Sequence, residues 1–374
     1  MSNYEPLGKH LRTVDDRNSD SVTDRVLGIN IDKYFMPSVA NVIGTDLSNY
    51  KLLHKGLFAC NPMHVGRDER LPVALYTEDE PAIVSPAYFM FEITDPEVLN
   101  PDYLMMWFRR PEFDRLCWLK TDGSVRGGIT WDDICRIEVP VIPMEEQLHI
   151  VKSYSIITER IKLKKKINDN LATTIDTIFS ETILSQTNCD EVAFTDIVQI
   201  LGGGTPKTDE PDYWNGPIPF FTPGDVKSSS FCISTEKSLT EAGLKNCSSR
   251  LYPVNTTFVT CRGTVGNLAM AGVPMAMNQS CYALQGNEGY PPYFVYVLTK
   301  YAISIMKNKA SGAVFNALVT RDFEMEKVIK PSLETATSFN NKVEPIFTEI
   351  LSNTNEISKL ESLSKIILAR LSSR

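Results

Sequence analysis

The sequence predicts an α+β chain in which one unit is used twice: a mixed β segment with helices, then a long helix, then the same again. Three observations predict this. The two halves align with each other, each half opens with short apolar runs punctuated by Pro and Gly, and each closes with a seven-residue apolar period. The length of 374 residues suits two to three domains at about 150 residues each.

The repeat is legible position by position. At a shift of about 189 residues, Gly123-Ser124 falls on Gly312-Ala313, and Ile129, Asp133 and Ile134 fall on Leu318, Asp322 and Phe323. At about 190, Pro101-Asp102-Tyr103-Leu104 falls on Pro291-Pro292-Tyr293-Phe294; at about 200, Phe58 and Gly66 meet Phe258 and Gly266; at about 187, Leu7 meets Phe194. Drifting offsets are what insertions in loops produce between diverged copies.

In chain order, residues 1–144 form the first globular segment, with KGLFACN as a strand and a helix from Tyr103 to Trp118. Residues 145–186 form a long helix, residues 187–333 the second globular segment, with TTFVTCR as a strand and a helix from Tyr293 to Met306, and residues 334–374 a second long helix. Each long helix could reach roughly 60 Å at about 1.5 Å per residue. In the first, Ile150, Ile157, Lys164, Leu171 and Ile178 recur every seven residues, beside Tyr154, Ile161, Asn168, Ile175 and Thr182. The second repeats both rows as Phe339, Ile346, Asn353, Leu360 and Ile367, and Val343, Ile350, Ile357, Ser364 and Leu371. These read as the two apolar rows of a coiled coil, with Lys164 and Asn353 as polar breaks that fix register in either a parallel or an antiparallel pair. The competing reading is two amphipathic helices, each packed on its own domain. Pro345 predicts a late start or a kink in the second helix.

Composition removes several classes of function. A hydrophobic content of 43% is ample for packed cores, and no window approaches the roughly 18 consecutive apolar residues of a membrane helix. The opening MSNYEPLGKHLRTVDDRNSD lacks the apolar core of a signal peptide. Eight cysteines without a C-x-x-C pair argue against zinc and disulfides and for a reduced, cytoplasmic setting. The net charge of −8 gives no global attraction to nucleic acid, so any DNA site is a local basic patch.

One stretch, LGGGTPKTDEPDYWNGPIPFFTPGDV, carries the most information. Its glycines and Lys207 suggest a phosphate cradle, but Thr205-Pro206-Lys207-Thr208 breaks the G-x-x-x-x-G-K-[ST] spacing and Pro206 removes a donor N–H. The simple reading is a chain reversal after a strand from Phe194 to Leu201. With two similar units and two heptad helices, the stretch resembles the start of a target-recognition domain in the specificity subunits of type I restriction–modification enzymes. That family reads G-G-T-P-S-x-x-x-x-x-Y-W-x-G-x-I-P-W-x-x-x-x-D. Thr205-Pro206, Tyr213-Trp214, Gly216, Ile218-Pro219 and Asp225 match, while Lys207 replaces serine and Phe220 replaces tryptophan. TCRGTVGNLAM and MNQSCYAL look like the strand pair that follows. VPVIPMEEQLHIV (139–151) resembles the P-x-P-x-x-E-Q-x-x-I entry to the family's helix, and KPSLETATSFN is its second copy without the glutamine. The resemblance is weaker before about residue 100, where GINIDKYFMPS and NPMHVGR fit loosely.

The resemblance implies two tandem target-recognition domains, an antiparallel coiled coil between them and a pseudo-twofold internal repeat. It implies a non-catalytic subunit in which each domain reads one half of a bipartite double-stranded DNA target and the helices set the spacing. It also implies two docked copies of a DNA adenine methyltransferase subunit and a restriction/translocase subunit. S-adenosylmethionine, ATP and Mg would belong to those partners, with no cofactor in this chain. In the family the glycine loop is largely architectural.

Other chemistry lacks its motifs. Asn61-Pro62-Met63-His64 is no methyltransferase N-P-P-[YF] loop, G-x-G-x-x-G and G-x-S-x-G are missing, and His10, His54, His64 and His149 have no metal-ligand spacing. Pro211-Asp212 with Asp225-Val226-Lys227 formally fits a P-D…D-x-K nuclease site that holds Mg²⁺. Candidate DNA contacts are Arg67, Lys120 and Arg126 in the first segment and Lys207, Lys227, Arg262, Asn278 and Gln279 in the second. Lysine and arginine meet phosphates, Arg reads guanine, and Asn or Gln reads adenine. The candidate helix interface is Ile157, Ile161, Lys164, Leu171 and Ile175 with Ile346, Ile350, Asn353, Leu360 and Ile367. The basic run Arg160-Ile161-Lys162-Leu163-Lys164-Lys165-Lys166 reads as a solvated helix face whose apolar members keep heptad phase. Three alternatives accompany this reading: a specificity subunit of a type IIB-like system, a stand-alone Mg-dependent nuclease, and a coiled-coil scaffold that does not bind DNA.

Overall fold

A computed structural model describes residues 3–63, 65–121, 127–186, 190–309 and 317–371. Gly123-Ser124, Gly312-Ala313, His64 and Arg126 lie outside the described residues. The fold is α+β, and the chain divides into two compact units, Met1–Glu159 with Glu361–Arg374, and Arg160–Leu360.

The first unit is built on a four-stranded antiparallel sheet in the order Leu11–Thr13, Phe89–Ile93, Phe58–Cys60, Val73–Leu75. Alternating side chains of these strands bury Phe58 and Phe91, stacked at 5.2 Å, under the helix Pro101–Phe108. Asn100 caps that helix by accepting from the N–H groups of Asp102 and Tyr103. A small strand pair, Asn3–Pro6 with Glu138–Val141, ties the start of the chain to the entry of the first long helix.

The second unit repeats this plan. Its sheet runs Val198–Gly202, Cys281–Gly286, Thr257–Thr260, Leu268–Ala271, and adds Phe231–Cys232 as a parallel edge strand. The pair Glu191–Ala193 with Lys327–Ile329 stands where Asn3–Pro6 and Glu138–Val141 stand in the first unit. Even single bonds recur: Leu7 N–H donates to the Ile137 carbonyl and Phe194 N–H to that of Glu326, each at 2.8 Å. Leu7 and Phe194, aligned by sequence, are both fully buried.

The helix entries also correspond, with one substitution of means. The buried Gln147 accepts from Asn100 N–H (2.8 Å) and donates to the carbonyls of Val98 (2.9 Å) and Ile142 (2.7 Å). Its counterpart in the second copy is Ala336, also buried, and the polar task moves one turn on, to Asn340, which accepts from Tyr293 N–H at 3.1 Å. A buried N–H needs a partner, and either amide supplies one.

The long helices are Met144–Phe179, prolonged by a π turn over Ser180–Leu184, and Leu333–Arg370. The second begins well before Pro345 and runs through it, so the expectation of a late start is corrected. Phe339, Asn340 and Val343 are buried ahead of the proline, and this packing offsets the roughly 3 kcal/mol or more that an interior proline costs. Within the second unit the two helices run antiparallel. Arg160 pairs with Glu356, Lys164 donates to Asn353 Oδ1 (2.5 Å), and Phe179 meets Phe339 at 5.5 Å. Within the first unit Ile150, Val151 and Tyr154 join Ile367, Leu368 and Leu371 in one core.

Among the interface candidates Ile175, Ile350 and Asn353 are buried, and Ile157, Ile161, Lys164, Leu171, Ile346, Leu360 and Ile367 are half-buried. A third row, Asn340, Phe347 and Thr354, is buried as well. Phe347 stacks on Tyr293 at 4.5 Å and meets Tyr296 and Phe231 edge-on. The second helix therefore serves the helix pair and the globular core together, so the two readings of its heptads are both realised. Asn353 is the polar hub. Its Nδ2 donates to Asn168 Oδ1 (2.9 Å), while Lys164 also reaches Glu356 (3.1 Å). Hydrogen bonds from Lys164 first, then Arg160, hold the Glu356 carboxyl below its usual range.

In the first unit Lys33 performs a comparable task. It sits in a turn at φ 67°, almost wholly buried, and donates to the Phe108 carbonyl and to Asp114 (2.6 Å). Asp114 also accepts from Leu71 N–H (3.1 Å), so one carboxylate joins a hairpin turn, a helix and the end of the loop that carries Arg67. Burial lowers the Lys33 pKa, and Asp114 opposes that.

Two stability outcomes follow. Asn353→Ala should cost about 1–3 kcal/mol in urea unfolding by stranding Asn168, whereas Asn168→Leu with Asn353→Leu should recover most of the loss. Asp114→Ala should cost about 3–5 kcal/mol because it leaves a buried ammonium unpaired, and adding Lys33→Met should restore a large part.

Candidate nucleic-acid interface

Strand register decides which loops meet. In the second unit Gly202 lies opposite Tyr282, Thr260 opposite Cys281, Val259 opposite Leu268, and Phe231 beside Met270. Two strands therefore leave the sheet, and three enter it, at one end. The connecting segments 203–210, 226–230, 261–267 and 278–280 project from that end. They carry Lys207, Lys227, Arg262, Asn278 and Gln279, so the topology gathers all five candidates of this unit. Lys207, Lys227, Arg262 and Gln279 are exposed and Asn278 is half-buried.

Short bonds lock these segments together. Cys261 N–H donates to the Ser280 carbonyl (2.8 Å), Gly204 N–H to Met277 (3.2 Å), and Asn278 N–H to Phe221 (3.0 Å). Asn278 Oδ1 accepts from Ser280 N–H (3.0 Å), which makes this side chain a brace of the turn. Gln279 Oε1 accepts from the Thr205 hydroxyl. Trp214 Nε1–H donates to the Lys207 carbonyl (3.0 Å), pinning the backbone while the ammonium stays free to reach outward. Lys227 lines a cleft of about 470 Å³ with Ser228, Asn267, Tyr296 and Lys300, and Lys300 is held by Asp176 at 2.6 Å.

The glycine run explains itself here by close approach. A Cβ on Gly203 would lie 2.4 Å from the Asn278 carbonyl oxygen and 2.6 Å from that of Met277, and one on Gly204 would lie 2.8 Å from Ser248 N. Only glycine lets the two segments touch.

Asp225 does not behave as a metal ligand. Its buried carboxylate accepts from Thr222 N–H (2.8 Å), Thr222 Oγ1 (2.7 Å) and Glu236 N–H (2.8 Å), which makes it a loop brace. Asp212 is exposed, and its carbonyl accepts from Thr240 Oγ1. Among the described residues no group of His, Cys, Asp and Glu is placed to hold a metal. Of the P-D…D-x-K residues, Asp225 is thus engaged by its own loop. Burial pushes the Cys60 and Cys261 thiols up to about 12 and Cys232 to about 11, so these are unreactive core residues.

In the first unit Cys60 lies opposite Phe89 and Val73, and Thr13 opposite Phe91, so the segments 14–17, 61–72 and 85–88 share one sheet end. Arg67 sits there in the short helix Val65–Asp68, but Asp68 takes its guanidinium with two bonds, at 2.7 and 2.9 Å. Lys120 is exposed at the end of the helix Pro111–Leu119. The chain then returns to this sheet end, where Gly66 N–H meets Gly127 (2.9 Å) and Ile129 N–H meets Pro62 (3.1 Å).

Sequence reasoning missed several cations at these ends. Arg250 is exposed two residues before Tyr252, whose hydroxyl donates to the Gly202 carbonyl at 2.7 Å. Lys307 Nζ donates to the Gly266 carbonyl (3.3 Å). In the first unit Arg17 bonds the Asn49 carbonyl (2.8 Å) and Lys51 that of Tyr88 (2.8 Å). No local motif marks them, because long-range pairing alone brings them in.

Comparison with known proteins agrees with this geometry. Residues 187–366 match the family described as "Type I restriction modification DNA specificity domain". The type I restriction enzyme MjaIX specificity subunit of Methanocaldococcus jannaschii is 30% identical over 165 residues, 42% of this chain and 38% of that protein. The HindI specificity subunit of Haemophilus influenzae is 30% identical over 187 residues, 48% of this chain and 40% of that protein. The aligned parts thus span about two fifths of the length of these curated relatives. The crystal structure of the type I restriction–modification S subunit from M. genitalium superposes with a TM-score of 0.59 at 15% identity, over 99% of this chain and 96% of that one, which shows the fold. Residues 187–366 thus match the type I restriction–modification DNA specificity domain, and the chain is similar over part of its length to curated type I specificity subunits.

Proposed function

We propose that this chain is the non-catalytic DNA-recognition subunit of a type I restriction–modification complex. The observation that carries the reading is the gathering of Lys207, Lys227, Arg262 and Gln279, with Arg250, at one sheet end of a DNA specificity domain. Exposed cations on an acidic protein supply phosphate contacts, and the amide and guanidinium among them supply base readout.

The first unit repeats the topology, so each unit reads one half of a bipartite double-stranded target. In this reading residues 1–144 and 187–333 are the two readers, and 145–186 and 334–374 are the helices that set their spacing. Ile156, Leu163 and Ile167 on the first long helix are exposed large apolar residues, and exposed apolar groups on a helix suit a protein partner. Two adenine methyltransferase subunits dock along the helices, and a restriction/translocase subunit joins them. S-adenosylmethionine, ATP and Mg act in those partners, in the cytoplasm. Among the described residues no helix is long and apolar enough to cross a membrane.

Duplex binding by the chain co-purified with its methyltransferase should weaken steeply as salt rises. Lys227→Gln should weaken it about evenly across sequences and lower the salt slope by about 1, while Arg262→Ala should relax one base position. Affinity that ignores salt and sequence alike would overturn the reading in favour of a protein scaffold.

A further inference from the structure

The glycine run, Thr205 and Gln279 form one device. The strand Val198–Gly202 leaves the sheet and passes so close to the segment Met277–Gln279 that Gly203 has no room for a Cβ. Gly204 N–H fastens the approach by donating to the Met277 carbonyl at 3.2 Å. The next residue is Thr205, and its hydroxyl donates to Gln279 Oε1. Gln279 is itself exposed at the rim, between the turn braced by Asn278 and the loop of Arg262 that Cys261 ties to Ser280.

An exposed glutamine ordinarily samples many rotamers, and holding one of them costs entropy when a ligand binds. Here a neighbouring hydroxyl already engages the amide oxygen. The amide plane is set, and the Nε2 hydrogens remain as the outward donors. We infer that Gln279 is a base-reading residue of the second unit, that Thr205 is the residue that positions it, and that its free Nε2 donors favour a base that offers a hydrogen-bond acceptor. In the major groove guanine, adenine and thymine each present an acceptor, whereas cytosine presents only its amino donor. Cytosine, which can be met only through the second lone pair of the engaged Oε1, is therefore the base this position disfavours. The inference deepens the DNA-recognition reading and rests on it.

The test is selection from a random-sequence duplex library by the full chain co-expressed with its methyltransferase, followed by sequencing. The wild-type protein should enrich a site in which one position is depleted of cytosine. Gln279→Ala should weaken that depletion roughly five- to hundredfold and leave every other position as it was. Thr205→Val should relax the same position to a lesser degree, and Thr205→Ser, which keeps the hydroxyl, should restore it. A loop with a merely structural role would lower yield or affinity without shifting preference at one base. If Gln279→Ala still selects the unaltered wild-type site, the assignment to Gln279 is wrong and DNA recognition by this unit stands. A wild-type protein that enriches no sequence contradicts the recognition reading, and this inference with it.

Discussion

Burial of the long helices inside the globular cores is the constraint on which the rest of the structure depends. The first unit completes its core with Ile367, Leu368 and Leu371 from the far end of the chain. The second does so with Ile175, Phe179 and Ile183 from one helix and Phe339, Val343 and Phe347 from the other. Each fully buried aromatic or aliphatic side chain contributes about 1.5–3 kcal/mol, so neither sheet is covered without both helices. Pairing is thus part of folding, and the polar layer of Lys164, Asn168 and Asn353 adds a register in which every buried amide finds a partner.

On that base, the sheet ends are left open, and it is there that we propose recognition. Antiparallel register sends the connections of alternate strands to one end, and in the second unit those connections hold the exposed cations and the glutamine. The loops are braced by their own side chains. Asp225 holds three donors, Trp214 pins the Lys207 backbone, and Asn278 closes its own turn. Side chains mounted on such loops lose little further freedom on binding, which favours affinity and selectivity together.

Much of this was legible in the sequence because it rests on periodic or local signals. The repeat appears as two sheets with the same order over their first four strands, and Leu7 and Phe194 or Phe58 and Phe258 occupy equivalent buried places. The heptads mark the helix pair, though orientation is set by contacts such as Arg160 with Glu356, which no period encodes. Phe347 escaped notice because it belongs to a third row that faces the globular core, on a flank of the coiled-coil seam. Lys33 with Asp114, and Arg250 at the second sheet end, depend on long-range pairing that one sequence does not reveal. Arg67 looked available as a cation, yet its own neighbour Asp68 neutralises it. Asp225 fits a metal-site spacing only formally and matches the recognition-domain motif, and its three accepted bonds make it a brace.

The most direct test of the account is methylome sequencing of a host that expresses this chain with its neighbouring methyltransferase. Two readers of one fold predict a split motif, two short blocks separated by a fixed gap, each methylated on adenine, with residues 190–330 governing one block alone. A single contiguous motif, or no methylation although chain and methyltransferase co-purify, would contradict it.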